Sequence, residues 1–384
     1  MLMKAHKVIN LLIISHDANR VGGPILLLNL AEALTASGKY SVSFLIKQAP
    51  LVILDRFKKY PCYIATNQLN LFTKIVNKFS RRFSFFKSNQ FNHNNIVASL
   101  KGIDIVLSNT ITNGDILPII ANNFKGVICS YIHELEMSAR LFTTPNQIQQ
   151  VIKHSNLFMV PSDAVKRYLE HHLHIEVNKI HVLPYYIPPP SYENIIKQRS
   201  QKFIVGGVGT AEWRKGTDLF IQTAVLFFAR SPEAQIEFHW KGASENIDLE
   251  RHQYEIDKAN LTGKIIFKLN SADINDFFAS IDLFILPSRE DPYPLVVLEA
   301  ANYELPCICF TNAGGSPEFI KEYSSGICVN YLNTEQIANA VLYYYTNKNI
   351  LKEQGKNAKT GVIKKHQNAT AIAEIFSNII NEYQ

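Results

Sequence analysis

Apolar runs of five to seven residues recur along this chain, and between them apolar positions return every three or four residues. In the first half the runs fall at 8–14, 41–47, 103–108, 127–132 and 157–161. Helical spacing intervenes, most clearly at 24–36 and 163–171, with Ser162 at the position of an N-cap. The pattern stops at Ile187-Pro188-Pro189-Pro190, where successive prolines neither donate to a sheet nor continue a helix. It then restarts, with runs at 203–208, 235–240, 264–269, 282–287 and 306–310 and helical spacing at 217–229, 274–280, 295–303 and 335–345. Strand-like runs separated by helical segments of about 10–15 residues predict βαβ units and parallel sheets. The expected fold is α/β, two Rossmann-like doubly wound domains facing a central cleft. Residues 1–187 form the first domain, 188–200 the linker and 201–365 the second domain, and a last helix at 366–384 is placed to pack back on the first. Such sheets bind ligands beyond the carboxyl ends of their strands, so the chemistry is sought in the residues that follow each run.

Composition narrows the class. Hydrophobic residues make up 47% and charged residues 19%, the balance of a globular chain rather than a disordered one. The first run is broken by Asn10 and followed by Ser15, His16 and Asp17. It is far short of the roughly 20 residues of a bilayer span and lacks the small-residue cleavage site of a signal peptide. Cys62, Cys129, Cys307, Cys309 and Cys328 are odd in number and without metal-ligand spacing, so buried thiols in a reducing cytoplasm are expected. The net charge of +6 is unevenly placed: residues 56–103 carry nine basic residues and no acidic one, leaving the remainder at about −3. That argues for one local basic element and against a nucleic-acid-binding surface. Within it Phe72, Ile75, Val76, Phe79, Phe83 and Phe86 share one helical face, with Lys74, Lys78, Arg81 and Arg82 opposite. Such a helix suits an anionic membrane surface, or packs its Phe face on the first domain and turns its cations to water.

Three clusters follow strand-like runs. Gly22-Gly23-Pro24 opens the first helical segment, where bare backbone amides approach an anionic ligand or simply make a tight turn. Gly209-Thr210-Ala211-Glu212-Trp213-Arg214-Lys215-Gly216 is neither a Walker loop nor a dinucleotide fingerprint. A glycine turn followed by two cations suits a diphosphate, and equally a solvated basic turn. The densest cluster runs from Ser288 through Asp291-Pro292-Tyr293-Pro294-Leu295-Val296 to Glu299-Ala300. Glu299 sits among apolar residues, where a carboxylate needs donors such as sugar or ribose hydroxyls, unless the helix dipole alone sustains it.

Taken together these residues resemble retaining glycosyltransferase family 4, of the GT-B fold. Asp291 and Glu299 stand in the two acidic places of its E-x7-E signature, and Gly209…Arg214-Lys215-Gly216 resembles its glycine turn and KG motif. Asn312-Ala313-Gly314-Gly315…Pro317-Glu318 resembles its later GG-x-PE loop, Gly22-Gly23 its first glycine loop, and Tyr131-Ile132-His133-Glu134 its strand-end histidine. The matches run in family order from residue 22 to residue 318. The resemblance implies that Glu299 holds the ribose hydroxyls and Asp291 the donor sugar. It places the backbone of Leu295 and Val296 near the diphosphate, Arg214 and Lys215 on the leaving nucleoside diphosphate, and His133 on the sugar from the opposite wall. It implies front-face attack on a nucleotide-sugar donor by a glycan or lipid-linked glycan acceptor, in surface-polysaccharide assembly on the cytoplasmic side of a bacterial membrane, with no cofactor. No Asp-x-Asp pair, the metal–diphosphate motif of the other main glycosyltransferase fold, occurs, so no metal is expected.

This chain departs from the family in three places. Thr210 stands where Arg is frequent, Pro294 removes a backbone donor from the acidic loop, and Asp291 is shorter than Glu by one methylene. A catalytically weak, nucleotide-sugar-binding partner subunit and a nucleotide-sugar epimerase on the same fold are the competing readings.

Overall fold

The computed structural model describes residues 7–66, 91–190, 201–269 and 274–384. The basic segment with Lys74, Lys78, Arg81 and Arg82 lies outside the described residues, as do linker residues 191–200. The chain divides into two compact units. Unit 1 comprises Met1–Val160, Leu169–Tyr186 and Ala369–Gln384, and unit 2 comprises Pro161–Tyr168 and Ile187–Asn368.

Unit 1 is built on seven parallel strands: β1 (Ile9–Ser15), β2 (Tyr40–Ile46), β3 (Cys62–Ile64), β4 (Ile105–Asn109), β5 (Val127–Tyr131), β6 (Leu157–Val160) and β7 (Ile180–Val182). Their order is β3-β2-β1-β4-β5-β6-β7. The middle of β1 is apolar on both faces because helices cover both, so Leu11 to Ile14 read as a continuous run and are wholly buried. Ile13 pairs with Phe44 on one side and Leu107 on the other. The last helix, Ala369–Asn381, belongs to this unit: the Tyr40 hydroxyl donates to Ser377 Oγ at 2.9 Å, and Tyr40 meets Phe376 edge-on at 5.3 Å.

Unit 2 holds β8 (Phe203–Val208), β9 (Ile236–Ala243), β10 (Ile265–Leu269), β11 (Leu283–Leu286), β12 (Cys307–Phe310) and β13 (Gly326–Val329), all parallel, in the order β10-β9-β8-β11-β12-β13. Two glycines in the middle of β8 let both faces close tightly. A Cβ on Gly206 would stand 2.5 Å from Ile281, and one on Gly207 would stand 2.6 Å from the Trp240 ring. The five cysteines are free thiols, three of them buried. Among the described residues no helix is long and apolar enough to cross a membrane.

In each unit the strand order reverses direction once, between β1 and β4 and between β8 and β11. Reversal leaves a crevice at the carboxyl edge of the sheet, because the helices on its two sides lead away to opposite faces. The sequence clusters fall on the loops around these two points.

Pro161 to Tyr168, the start of the helix Asp163–His172, belong to unit 2 although the strand before them belongs to unit 1. Ser162 Oγ accepts from Val165 N–H at 3.4 Å and donates to the Pro292 carbonyl at 3.0 Å. Glu318 closes the same helix end, accepting from Asp163 and Ala164 N–H at 2.9 and 2.7 Å with Arg167 beside it. An ionised carboxylate on free helix amides is a strong cap. The Glu318→Ala variant should lose about 1–2 kcal/mol of stability, read as a lower midpoint in urea with unchanged slope.

Candidate functional site

The site in unit 2 is made by three loops at the β8/β11 reversal. The first leaves β8 at Gly209, whose φ of 147° only glycine adopts readily. It makes a single tight turn at Trp213–Lys215 and enters the helix Thr217–Arg230 through Gly216 at φ 72°. A Cβ on Gly216 would lie 1.9 Å from the Pro287 carbonyl oxygen, so this turn is pressed against the end of β11. The second loop runs from Pro287 to the helix Leu295–Asn302, and the third joins β12 to the helix Ser316–Tyr323. Asp291 N–H donates to the Ala313 carbonyl at 2.6 Å and Gly315 N–H to the Pro292 carbonyl at 2.9 Å, which ties the second loop to the third.

Lys215 and Asp291, 76 residues apart, meet at the centre: Nζ lies 2.5 Å from Oδ2, and both side chains are largely buried. Ser288 Oγ donates to the same carboxylate oxygen at 3.4 Å. Arg214 points to the same loop, donating to the Glu290 carbonyl at 3.1 Å and pairing with Glu212 at 3.3 Å. Glu299 lies in the second turn of its helix, past the first-turn positions where the dipole would hold it. Its carboxylate makes no hydrogen bond among the described residues, and burial pushes its pKa up to about 7. The amides of Leu295 and Val296 open the helix behind Pro294 and likewise meet no acceptor among the described residues. The reversal point therefore offers a cation, a paired carboxylate, a desolvated carboxylate and two free amides.

Two supports lay outside the sequence reading. Arg289 forks onto Asp218 at 2.8 and 2.7 Å, donates to the Trp213 carbonyl at 2.6 Å and stacks 4.9 Å over the Trp213 ring. It thereby clamps the turn that presents Arg214 and Lys215. Trp240 Nε1 donates to the Gly209 carbonyl at 2.9 Å and fixes the start of that loop. Nothing in the spacing of Asp218 or Trp240 marks them, because their partners are distant in sequence.

In unit 1 the residues around the β1/β4 reversal are unusually polar for a sheet edge. Gly22 and Gly23 open the helix Gly22–Ala36 with ordinary backbone angles, so small size and not a special φ is their contribution. His133 follows β5, and both its ring nitrogens are engaged, Nδ1 with the Tyr185 hydroxyl at 2.9 Å and Nε2 with Asn109 Oδ1 at 2.5 Å. Burial, with His16 adding to it, lowers the His133 pKa to about 3, so the ring is neutral at physiological pH. The buried Glu134 carboxylate accepts from His133 and Ile111 N–H at 3.1 and 3.2 Å. Thr110 holds φ 73° and ψ 151°, a conformation that a β-branched residue adopts only when its surroundings force it. Among the described residues no cluster of His, Cys, Asp and Glu has the arrangement of a metal site.

Residues 191–361 match the family model described as glycosyl transferases group 1. The chain is 22% identical over 185 residues to the lipopolysaccharide core biosynthesis mannosyltransferase LpcC of Rhizobium leguminosarum bv. viciae, covering 47% of this chain and 52% of that one. It is 29% identical to the alpha-galactosylglucosyldiacylglycerol synthase of Streptococcus pneumoniae, over 44% of this chain and 46% of that one. The chain thus spans about half the length of the curated relatives it matches. Anabaena Alr3699/HepE, solved in complex with UDP and glucose, superposes with a TM-score of 0.76 at 16% identity, covering 97% of this chain and 99% of that one. The fold is that of the GT-B glycosyltransferases.

The unpartnered Glu299 generates a pH prediction. Its carboxyl ionises at about 7 in the folded chain against an ordinary value of 4.5. The folded state therefore holds the proton more tightly, and this contribution to stability is whole below about pH 4.5 and lost as pH rises through 7. The Glu299→Gln protein, which stays neutral, should match the wild type at pH 4 and exceed it at pH 8 by at most about 3 kcal/mol. Chemical denaturation at the two pH values measures the difference.

Proposed function

We propose, for a chain whose residues 191–361 match the model of the group 1 glycosyl transferases, that it moves a hexose from a nucleoside diphosphate sugar to a glycan or lipid-linked glycan. Anomeric configuration is retained, and neither metal nor cofactor takes part. The observation that carries this reading is the trio at the β8/β11 reversal: Lys215 on Asp291, with the desolvated, unpartnered Glu299 on the adjoining helix.

Each role follows from chemistry. Glu299 accepts two hydrogen bonds from the ribose, which satisfies a carboxylate that nothing else satisfies. The free amides of Leu295 and Val296 and the backbone at Gly209 face the diphosphate. Lys215, assisted by Arg214, neutralises the charge that grows on the diphosphate as the glycosidic bond breaks, the task a divalent cation performs elsewhere. Asp291 holds the Lys215 ammonium in place and accepts from a hydroxyl of the sugar. Gly22 and Gly23 keep the part towards the sugar that the family resemblance implies, whereas His133, with both ring nitrogens engaged, acts through its neighbours. In the transfer, the bond from C1 to the phosphate oxygen breaks with its electron pair passing to that oxygen. The acceptor hydroxyl oxygen bonds C1 on the same face, and its proton passes to the departing phosphate. A glycolipid or lipopolysaccharide-type acceptor is supported by the relatives, one a mannosyltransferase of lipopolysaccharide core biosynthesis and one an alpha-galactosylglucosyldiacylglycerol synthase.

The reading is tested by titrating UDP, GDP and dTDP with their sugars and by following the anomeric proton of the first product by NMR. A product of inverted configuration would overturn the retaining assignment, and indifference to all three diphosphates would overturn the nucleotide reading. Glu299→Gln should weaken diphosphate binding by about 1.5–3 kcal/mol, the opposite sign to its effect on stability. Lys215→Ala should lower kcat about a hundredfold or more while changing donor affinity far less, because the charge it meets develops in the transition state. Steady-state kinetics beside direct binding separates the two, and Arg214→Ala should follow the same pattern to a smaller extent.

A further inference from the structure

We propose that Asn109 and His16 of unit 1 together recognise one sugar hydroxyl, Asn109 as its donor and His16 as its acceptor. This rests on the nucleotide-sugar reading and names the atoms that read the saccharide.

Asn109 is wholly buried at the end of β4. Its Oδ1 is occupied by His133 Nε2, while its Nδ2 has no partner. Leaving a buried amide donor unpaired is unfavourable, and such groups are rare unless a ligand or an ordered water completes them. His16, after β1, sets Nε2 3.3 Å from Asp17 Oδ2 and leaves a buried Nδ1 with no partner. In the neutral ring, with its proton on Nε2 towards the carboxylate, Nδ1 presents a lone pair. Both side chains border one point: a Cβ on Gly23 would stand 3.6 Å from Asn109 Nδ2 and 3.6 Å from His16 Cε1, the ring carbon between its two nitrogens. A donor beside an acceptor matches a hydroxyl, which has both a lone pair and a proton to offer. A phosphate oxygen has no proton for His16, and the nearby carboxylates of Asp17 and Glu134 oppose an anion. His133 then acts as a positioning residue: with Tyr185 on one nitrogen and Asn109 on the other, its ring fixes which way the Asn109 amide points. The left-handed φ of the adjacent Thr110 holds the same amide at the strand end.

Asn109→Asp isolates the free donor. It keeps the oxygen that accepts from His133 and the shape of the side chain and exchanges the Nδ2 donor for an ionisable carboxyl oxygen, whose added charge the bare-diphosphate titration reads separately. Calorimetric titration with UDP, UDP-glucose, GDP and GDP-mannose gives the factor by which the sugar changes diphosphate affinity. In Asn109→Asp the nucleotide sugar should weaken about tenfold while the bare diphosphate binds as in the wild type. His16→Phe should show a smaller loss of the same kind. If donor binding is unchanged but affinity for methyl glycosides in saturating UDP falls, the recognised hydroxyl belongs to the acceptor, which also upholds the assignment. A measurement on the wild type alone guards against a variant that folds poorly: among singly deoxygenated donor sugars and methyl glycosides, one position should account for the same loss. Wild-type affinities in Asn109→Asp for all these probes, or no single hydroxyl that matters, would overturn the inference and leave the nucleotide reading intact. A wild type that binds no diphosphate would overturn both.

Discussion

The Lys215–Asp291 pair holds the second unit's site together, and its physics explains the loops around it. An ammonium and a carboxylate that lose most of their water gain from each other only when the geometry is close and each has further partners. Here the distance is 2.5 Å, Ser288 supports the carboxylate, and the backbone of Asp291 is tied to the loop after β12. That tie demands glycine: a Cβ on Gly314, whose φ is 142°, would lie 1.7 Å from the Asp291 carbonyl oxygen. On the other side the lysine arrives on a turn that Arg289 clamps through Asp218 and Trp213. One ion pair thus sits where three loops from three strands meet, each loop tied to its neighbour. Such preorganisation is what a site for growing negative charge requires, since reorganising dipoles during the reaction would consume the gain.

Stability and function pull apart at this edge. Glu299 is kept in surroundings that favour its neutral form, although a ligand with hydroxyl donors would favour its charge. Asn109 and His16 keep unpaired polar atoms in a buried setting, and Thr110 holds a backbone conformation unfavourable to its side chain. These departures lie around the two strand-order reversals, while the sheets behind them are built largely of buried apolar residues. Strain and unsatisfied groups persist where rigid surroundings impose them.

Much of the scaffold was legible because strand and helix periods are local properties. The long central strands β1, β2, β4, β8 and β9 lie within a residue or three of the apolar runs, since burial on both faces leaves an uninterrupted signal. The short strands β3, β7 and β13 escaped notice: three or four residues at or near a sheet edge carry too little apolar character to stand out. The helix Lys348–His366 was also hidden, its lysines and asparagines diluting the apolar repeat. In the site, the order Gly209, Lys215, Asp291, Glu299 could be read from residue types and spacing. The part played by Glu318 could not, because the helix it caps begins 155 residues earlier.

The sequence by itself determined the α/β alternation, the switch at the prolines and the list of chemical groups that follow the strands. All of these depend on neighbours a few residues apart, where side-chain period and backbone preference act directly. Only the tertiary structure decided which groups meet. Lys215 reaches Asp291, Asn109 reaches His133 and Arg289 reaches Asp218 because parallel strands order themselves by long crossovers, and that order juxtaposes loops far apart along the chain. Burial, too, is set by the assembled sheets and helices, so the displaced pKa of Glu299 and the engaged ring of His133 have no counterpart in the sequence read alone.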